Sequence, residues 1–330
     1  PPPPSPMAPN TPAVPTIKLA QDGGIMPVLG FGTAPDPPVP AETTRAAVIA
    51  AIQAGYRHFD TACLYHTEQP LGEAIAEALE KGLIQSRDEL FITSKLWCSG
   101  ARRDLVIPAL NSTLRKLNLE YIDLYLIHWP VSSKPGVYEY PIKKEDFVPM
   151  DYRHVWEAME ECKKLGLAKS IGVSNFSCKK LEHILGFAVI PPAVNQVEVN
   201  PSWQQKELIE FCKANGVIVT GYSPLGAIGS FYGSNKLMES DVLKEIATRR
   251  NKSVPQVCLR WVLEQGVAVV VKSFNKDRMK QNLDILDWSL SPEDHEKIKG
   301  IPQSRVCKGF DYTSSFGPFK TAEELWDEEV

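Results

Sequence analysis

YIDLYLIHWP (121–130) is a run of strand length that stops at a chemically useful group: residues 121–127 are mostly apolar, and His128 follows where they end. The pattern recurs along the chain. Runs at 28–32, 57–59, 90–94, 168–173, 193–197, 217–222 and 268–271 bring the strand candidates to eight. At or just past seven of their ends stand Asp60, Lys95, His128, Ser174 with Asn175, Gln196, Tyr222, and Lys272 with Ser273. Helical patterns separate them. In 102–118, Val106, Leu110, Leu114 and Leu117 recur at spacings of three and four, with Arg102, Arg103, Arg115 and Lys116 on the other side and Pro108 near the start.

Strands alternating with helices predict a parallel sheet, and eight strands favour closure into a (β/α)₈ TIM barrel of the α/β class. Such a barrel gathers the carboxyl ends of its strands on one rim, where polar residues from distant parts of the sequence share a pocket. A doubly wound dinucleotide-binding sheet fits poorly, because Gly30-Phe31-Gly32-Thr33 lacks the third glycine and the downstream acidic residue of that motif.

Around the barrel, residues 1–15 carry eight prolines and few apolar anchors, which predicts a disordered tail. Residues 17–19 and 25–28 flank Gln21-Asp22-Gly23-Gly24, a hairpin signal that would cap the closed end of the barrel. Long segments at 129–150, 223–239 and 301–330 predict rim loops and a C-terminal extension on a single domain spanning 16–330.

The net charge of −4 provides no basic stripe, which argues against a nucleic-acid partner. Seven cysteines with no CxxC pair suggest neither a zinc site nor a disulfide framework, and no apolar stretch reaches the ~20 residues of a membrane span. A cytoplasmic monomer without a membrane partner is the expectation, and the amino end lacks the build of a signal peptide.

Asp60, Tyr65, Lys95 and His128 fall at or just beyond successive strand ends and form a proton-transfer set. A tyrosine with its reference pKa of about 10 is a poor acid–base group at neutral pH, and a neighbouring ammonium would lower it. Lys95 is placed to do so, Asp60 to hold Lys95 charged, and His128 to orient a carbonyl oxygen. Each has an ordinary alternative: Tyr65 as a helix-entry aromatic, Lys95 as a loop charge, His128 as a core imidazole, Asp60 as a helix cap.

GYRHFDTACLY (55–65), ITSKLW (92–97), LIHWP (126–130), IGVSNF (171–176) and VVKSFNKDRMKQN (270–282) resemble the aldo-keto reductase superfamily, in order and over residues 17 to 305. LIQSRDELFITSKLWC (83–98) and GPFKTAEELWDEE (317–329) further resemble its plant branch, which holds codeinone reductase, chalcone (polyketide) reductase and methylecgonone reductase. The resemblance implies an NADPH/NADP+ cofactor, no metal, and reduction of a small-molecule carbonyl substrate with Tyr65 as proton donor. It implies that Ser174, Asn175 and Gln196 meet the nicotinamide amide and that Tyr222 lies beneath its ring. Lys272, Ser273, Asn275 and Arg278 would surround the 2′-phosphate, with Gln281 and Asn282 toward the adenine. Gly32, Thr33, Asp60, Ser223, Leu225, Gly226 and Phe274 complete the expected cofactor set.

His66, Trp97, His128, Trp129 and Trp203 are the expected substrate contacts, favouring a bulky ketone of alkaloid, steroid or polyketide type. His66 departs from the glycine or glutamine expected there in close relatives. The alternatives are a regulatory or structural cofactor-binding protein of this family with little turnover, and a polyketide reductase acting beside a synthase.

Overall fold

The computed structural model describes residues 13–20, 24–136 and 140–329. Strands β1 (Thr16–Lys18) and β2 (Ile25–Pro27) form an antiparallel hairpin with Ile17 opposite Met26. β3 (Leu29–Gly32), β4 (His58–Asp60), β5 (Phe91–Leu96) and β6 (Ile122–Ile127) follow. The loop after β6 carries a small antiparallel pair, β7 (Ser132–Ser133) and β8 (Phe147–Val148). β9 (Ala168–Ser174), β10 (Val194–Glu198), β11 (Ile218–Tyr222) and β12 (Ala268–Val271) complete the set.

Strands β3–β6 and β9–β12 close into an eight-stranded parallel barrel, the TIM barrel expected from the sequence. Closure is made where β12 pairs with β3, Val270 opposite Gly30. These strands coincide with the eight apolar runs because a strand buried on both faces needs no polar alternation. Helices on the outside, such as Ala41–Ala54, Glu68–Glu80, Val106–Leu117 and Tyr152–Lys164, bury one apolar stripe against them. Val106–Leu117 is shorter than the pattern at 102–118 because Arg102 to Leu105 form a turn. Pro108 falls in its first turn, where its missing N–H leaves no bond unmade.

The hairpin plugs the amino-terminal mouth. Leu19 and Met26 pack with Phe91, Val194 and Ala268, the first residues of β5, β10 and β12. The Gln21–Gly23 part of the turn lies outside the described residues, as does the predicted tail up to residue 12. Backbone pairing reaches Pro15, whose carbonyl accepts the Val28 N–H at 2.9 Å.

At the opposite rim the C-terminal extension folds back over the barrel. Tyr312, Ala322, Leu325 and Trp326 join Cys63, Trp97, Trp129 and Phe147 in a second apolar cluster. Lys180 Nζ donates to the Leu325 carbonyl at 2.7 Å, and Trp326 Nε1 to the Lys308 carbonyl at 2.8 Å.

Helix Glu68–Glu80 approaches the end of Val106–Leu117 so closely that a Cβ on Gly72 would lie 2.3 Å from the Leu117 carbonyl oxygen. Backbone cannot swing aside as a side chain can. Gly72→Ala should therefore lower the unfolding free energy by about 2 kcal/mol. A thermal melt identical to wild type would show that the helices can separate without cost.

Candidate active site

Three successive strands and one turn build the site. β4 ends on Asp60, β5 carries Lys95, and His128 follows β6. The short 3₁₀ turn Cys63–Tyr65 lifts Tyr65 onto the rim, and His66 closes it in the left-handed region at φ 56°. Parallel pairing sets the depth of these groups, with Asp60 opposite Thr93 and Lys95 opposite Leu126.

Lys95 Nζ donates to Asp60 Oδ1 at 2.6 Å and to the Thr61 carbonyl at 2.9 Å, and Gln196 Nε2 donates to Asp60 Oδ2 at 2.8 Å. Both carboxylate oxygens are thus engaged. Lys95 is 1 % exposed and Asp60 3 %, so both charges are held out of water and each depends on the other. Burial pulls the Lys95 pKa down, while the charge and hydrogen bond of Asp60 oppose that pull.

Tyr65 stands over this pair. Its hydroxyl is 3.4 Å from His128 Nε2, the two rings meet edge to face, and Lys95 Nζ lies 5.0 Å from the phenol ring centroid. The sequence predicts that Lys95 lowers the Tyr65 pKa. Instead burial, followed by the Asp60 charge, holds the phenol well above 10. The reason is geometric: the ammonium faces the ring and directs bonds to Asp60 and Thr61, while the hydroxyl meets His128. Burial, followed by the Lys95 charge, holds the His128 pKa well below 6.5, so its imidazole is neutral at neutral pH. Its Nδ1 is buried without a partner. The arrangement offers a protonated phenol and a neutral imidazole converging on one point.

The neighbouring polar residues form their own lattice. Ser174 Oγ donates to the Gln196 carbonyl at 2.8 Å, Asn175 Nδ2 to the His128 carbonyl at 3.0 Å, and the Tyr222 hydroxyl to Asn175 Oδ1 at 2.7 Å. Helix Cys178–Leu185 is capped by Ser177, so Ser174 and Asn175 are not its caps. Asn175 has φ 63°, a strained placement that turns its amide onto the rim. Ser223 Oγ lies 3.4 Å from the Tyr232 hydroxyl, and Gly226 at φ 74° turns the chain beside half-buried Leu225.

After β12, Lys272 lies above buried Ser273, and its Nζ donates to the Asp36 carbonyl at 3.3 Å. Asn275 caps helix Lys276–Leu283 through Oδ1, which accepts the N–H groups of Asp277 and Arg278. Burial lowers the Lys272 pKa, Asp36 opposes this and the Arg278 charge adds to it, so two cations share this edge. Phe274 is half-buried beside Lys272, and Gln281 is exposed. Buried Asn282 turns toward Tyr56. A Cβ on Gly32 would sit in ordinary van der Waals contact with Lys272 and Val271, the nearest atom at 3.7 Å, and Thr33 is fully buried beside it. Paired cations at a helix start, with hydroxyls and amides along the rim, fit a phosphate-bearing dinucleotide.

The expected substrate residues divide. Trp97 meets His128 edge-on at 5.4 Å, and Trp129 stacks on Tyr312 at 3.6 Å. His66 is exposed at the turn beside Tyr65. Trp203 joins none of these contacts: its ring lies against the Arg305 guanidinium at 4.6 Å. Tyr312 is the residue that sequence reasoning missed. It also meets Trp97 edge-on, and it comes from a segment with neither strand nor helix periodicity.

The sequence pattern of the aldo/keto reductase family matches residues 28–302, and the chain belongs to that family. Among curated proteins it is 60 % identical over 305 residues to deoxymugineic acid synthase 1-A of Triticum aestivum, covering 92 % of this chain and 97 % of that protein. It is 58 % identical over 315 residues to NADPH-dependent codeinone reductase 1-4 of Papaver somniferum, covering 96 % and 98 %. The crystal structure of Bombyx mori aldo-keto reductase in complex with NADP superposes with a TM-score of 0.83 at 37 % identity, covering 92 % of this chain and 99 % of that one.

Asp60→Asn should leave the Lys95 ammonium buried and uncompensated, at a cost of about 3 kcal/mol or more. Asp60→Asn combined with Lys95→Met should recover part of that loss in urea unfolding. Additive losses would show that the two charges do not act as a pair.

Proposed function

We propose that this chain is an NADPH-dependent aldo-keto reductase that reduces a ketone or aldehyde to an alcohol. The observation that carries the proposal is the convergence of the Tyr65 hydroxyl and His128 Nε2, 3.4 Å apart, over the buried Lys95–Asp60 pair. A carbonyl oxygen bound between them meets a proton at Tyr65 and an orienting imidazole at His128. When bound, the reduced cofactor supplies the hydride. Lys95 places a positive charge under the tyrosine ring, which favours the phenolate once the proton has left. Asp60 keeps that charge in place.

Ser174, Asn175 and Gln196 are assigned to the carboxamide of the cofactor, and Tyr222 to its ring face. Lys272 and Arg278, with Ser273 and Asn275, are assigned to the 2′-phosphate. The named relatives at 56–60 % identity include a deoxymugineic acid synthase, a codeinone reductase and a neemfruitin-type aldo-keto reductase of Melia azedarach. The first name specifies synthesis and the other two specify reductases. The apolar side chains Trp97, Trp129 and Tyr312 suit a bulky ketone of specialised metabolism, such as an alkaloid. The reading includes one barrel domain from residue 16 onward, active as a cytoplasmic monomer; seven unpaired cysteines suit a reducing compartment. No helix among the described residues is long and apolar enough to cross a membrane.

Tyr65→Phe should lower kcat for carbonyl reduction by roughly 10²–10⁴ while NADPH still binds by fluorescence titration. Full turnover in that variant removes the proton-donor assignment. A wild-type protein that binds NADPH yet consumes none with a panel of ketones and aldehydes would favour a regulatory role. Neutralising Lys272 and Arg278 together should raise the NADPH Kd roughly 10-fold or more beyond any change for NADH. Equal losses for both cofactors would place the 2′-phosphate elsewhere.

A further inference from the structure

Three threonine hydroxyls lie next to the backbone that holds the ion pair, and none of them makes a helix-capping bond. Thr33, Thr61 and Thr67 are fully buried or nearly so. Thr67 Oγ1 lies 2.8 Å from Thr33 Oγ1 and 2.8 Å from Thr61 Oγ1. Thr33 Oγ1 in turn lies 3.0 Å from the Asp60 carbonyl oxygen.

The proton count fixes the direction of this chain. A carbonyl oxygen only accepts, so the single proton of Thr33 is committed to Asp60. Thr67 must then donate to Thr33, and Thr61 to Thr67. Every contact receives one proton in this arrangement, and bonds aligned head to tail polarise one another. The chain begins at Thr61, whose own carbonyl accepts from Lys95 Nζ at 2.9 Å, and ends on the backbone of Asp60, whose carboxylate accepts from Lys95 at 2.6 Å. Thr67 is its hub.

Thr67 sits at the N-cap of helix Glu68–Glu80, the place where a threonine hydroxyl ordinarily caps, yet its side chain makes no capping bond. Its hydroxyl is spent sideways, on the loops after β3 and β4. The next residue works in the same sense. Buried Glu68 Oε1 accepts from Ser94 Oγ at 2.7 Å and from Thr113 Oγ1 at 2.8 Å, gripping β5 one residue before Lys95. Residues 65 to 68 therefore present in turn the phenol, the left-handed link, the hydroxyl hub and the strand anchor.

We infer that Thr67 is a positioning residue for carbonyl reduction: its hydroxyl fixes the Asp60–Thr61 backbone around Lys95, and so the placement of that ammonium under Tyr65. The inference rests on the reductase reading above. Thr67→Val keeps the shape and removes donor and acceptor together; Thr67→Ser keeps the hydroxyl. Valine should lower kcat about tenfold, with the carbonyl KM and the NADPH Kd within about twofold of wild type, and serine should restore kcat. A side chain that served only packing would lower the melting temperature without this split, and serine would not rescue it. Wild-type kcat in Thr67→Val, or equal impairment of both variants, overturns the inference.

A readout that needs no turnover accompanies it. In a crystal structure of Thr67→Val, Lys95 Nζ should lose its bond to the Thr61 carbonyl; unchanged Lys95 contacts overturn the inference. Should the wild-type protein reduce no carbonyl, the reductase reading falls by itself, and the crystal structure still decides what Thr67 positions.

Discussion

A buried ammonium held by a buried carboxylate governs this rim. Separating Lys95 from Asp60 would strand one charge in a medium that solvates it poorly, at a cost of about 3–5 kcal/mol. The surrounding structure answers to that constraint. Gln196 takes the second carboxylate oxygen, the Thr61 carbonyl takes a second lysine proton, and the threonine chain holds the backbone that carries both. Tyr65 and His128 are then left with each other, over a fixed positive charge, with the phenol protonated and the imidazole neutral.

Stability and chemistry draw on separate parts of the molecule. The apolar strand walls and outer helices make the barrel, and the hairpin stops its amino-terminal mouth. The opposite mouth is finished by chain outside the barrel strands: the turn at 63–65, the pair β7–β8 and the C-terminal extension. The proposed substrate wall is consequently built from segments free to differ while the barrel beneath stays the same. Relatives with 56–60 % identity can therefore bear the names of quite different metabolites.

Much of this was legible beforehand. Eight apolar runs became eight strands, and Asp60, Lys95 and His128 stood at or near strand ends, because strand periodicity and strand termination are local properties. The pKa of Tyr65 was not legible. Which side of the ring an ammonium occupies depends on the depth of β5 relative to the turn at 63–65, a relation between segments. Trp203 shows the same limit: motif position makes it a candidate substrate contact, and only the folded chain shows its ring against Arg305, a hundred residues later.

Local pattern is enough to specify the barrel, its hairpin plug and the identity of the polar groups on its rim, since hydrophobic periodicity and residue type are written along the chain. Tertiary structure alone decided that Tyr312 stacks on Trp129, that both oxygens of Asp60 are engaged, and that Thr67 turns its hydroxyl away from its helix. Those outcomes are set by packing and proton counting among residues far apart in sequence, and neither periodicity nor motif encodes the distance between them.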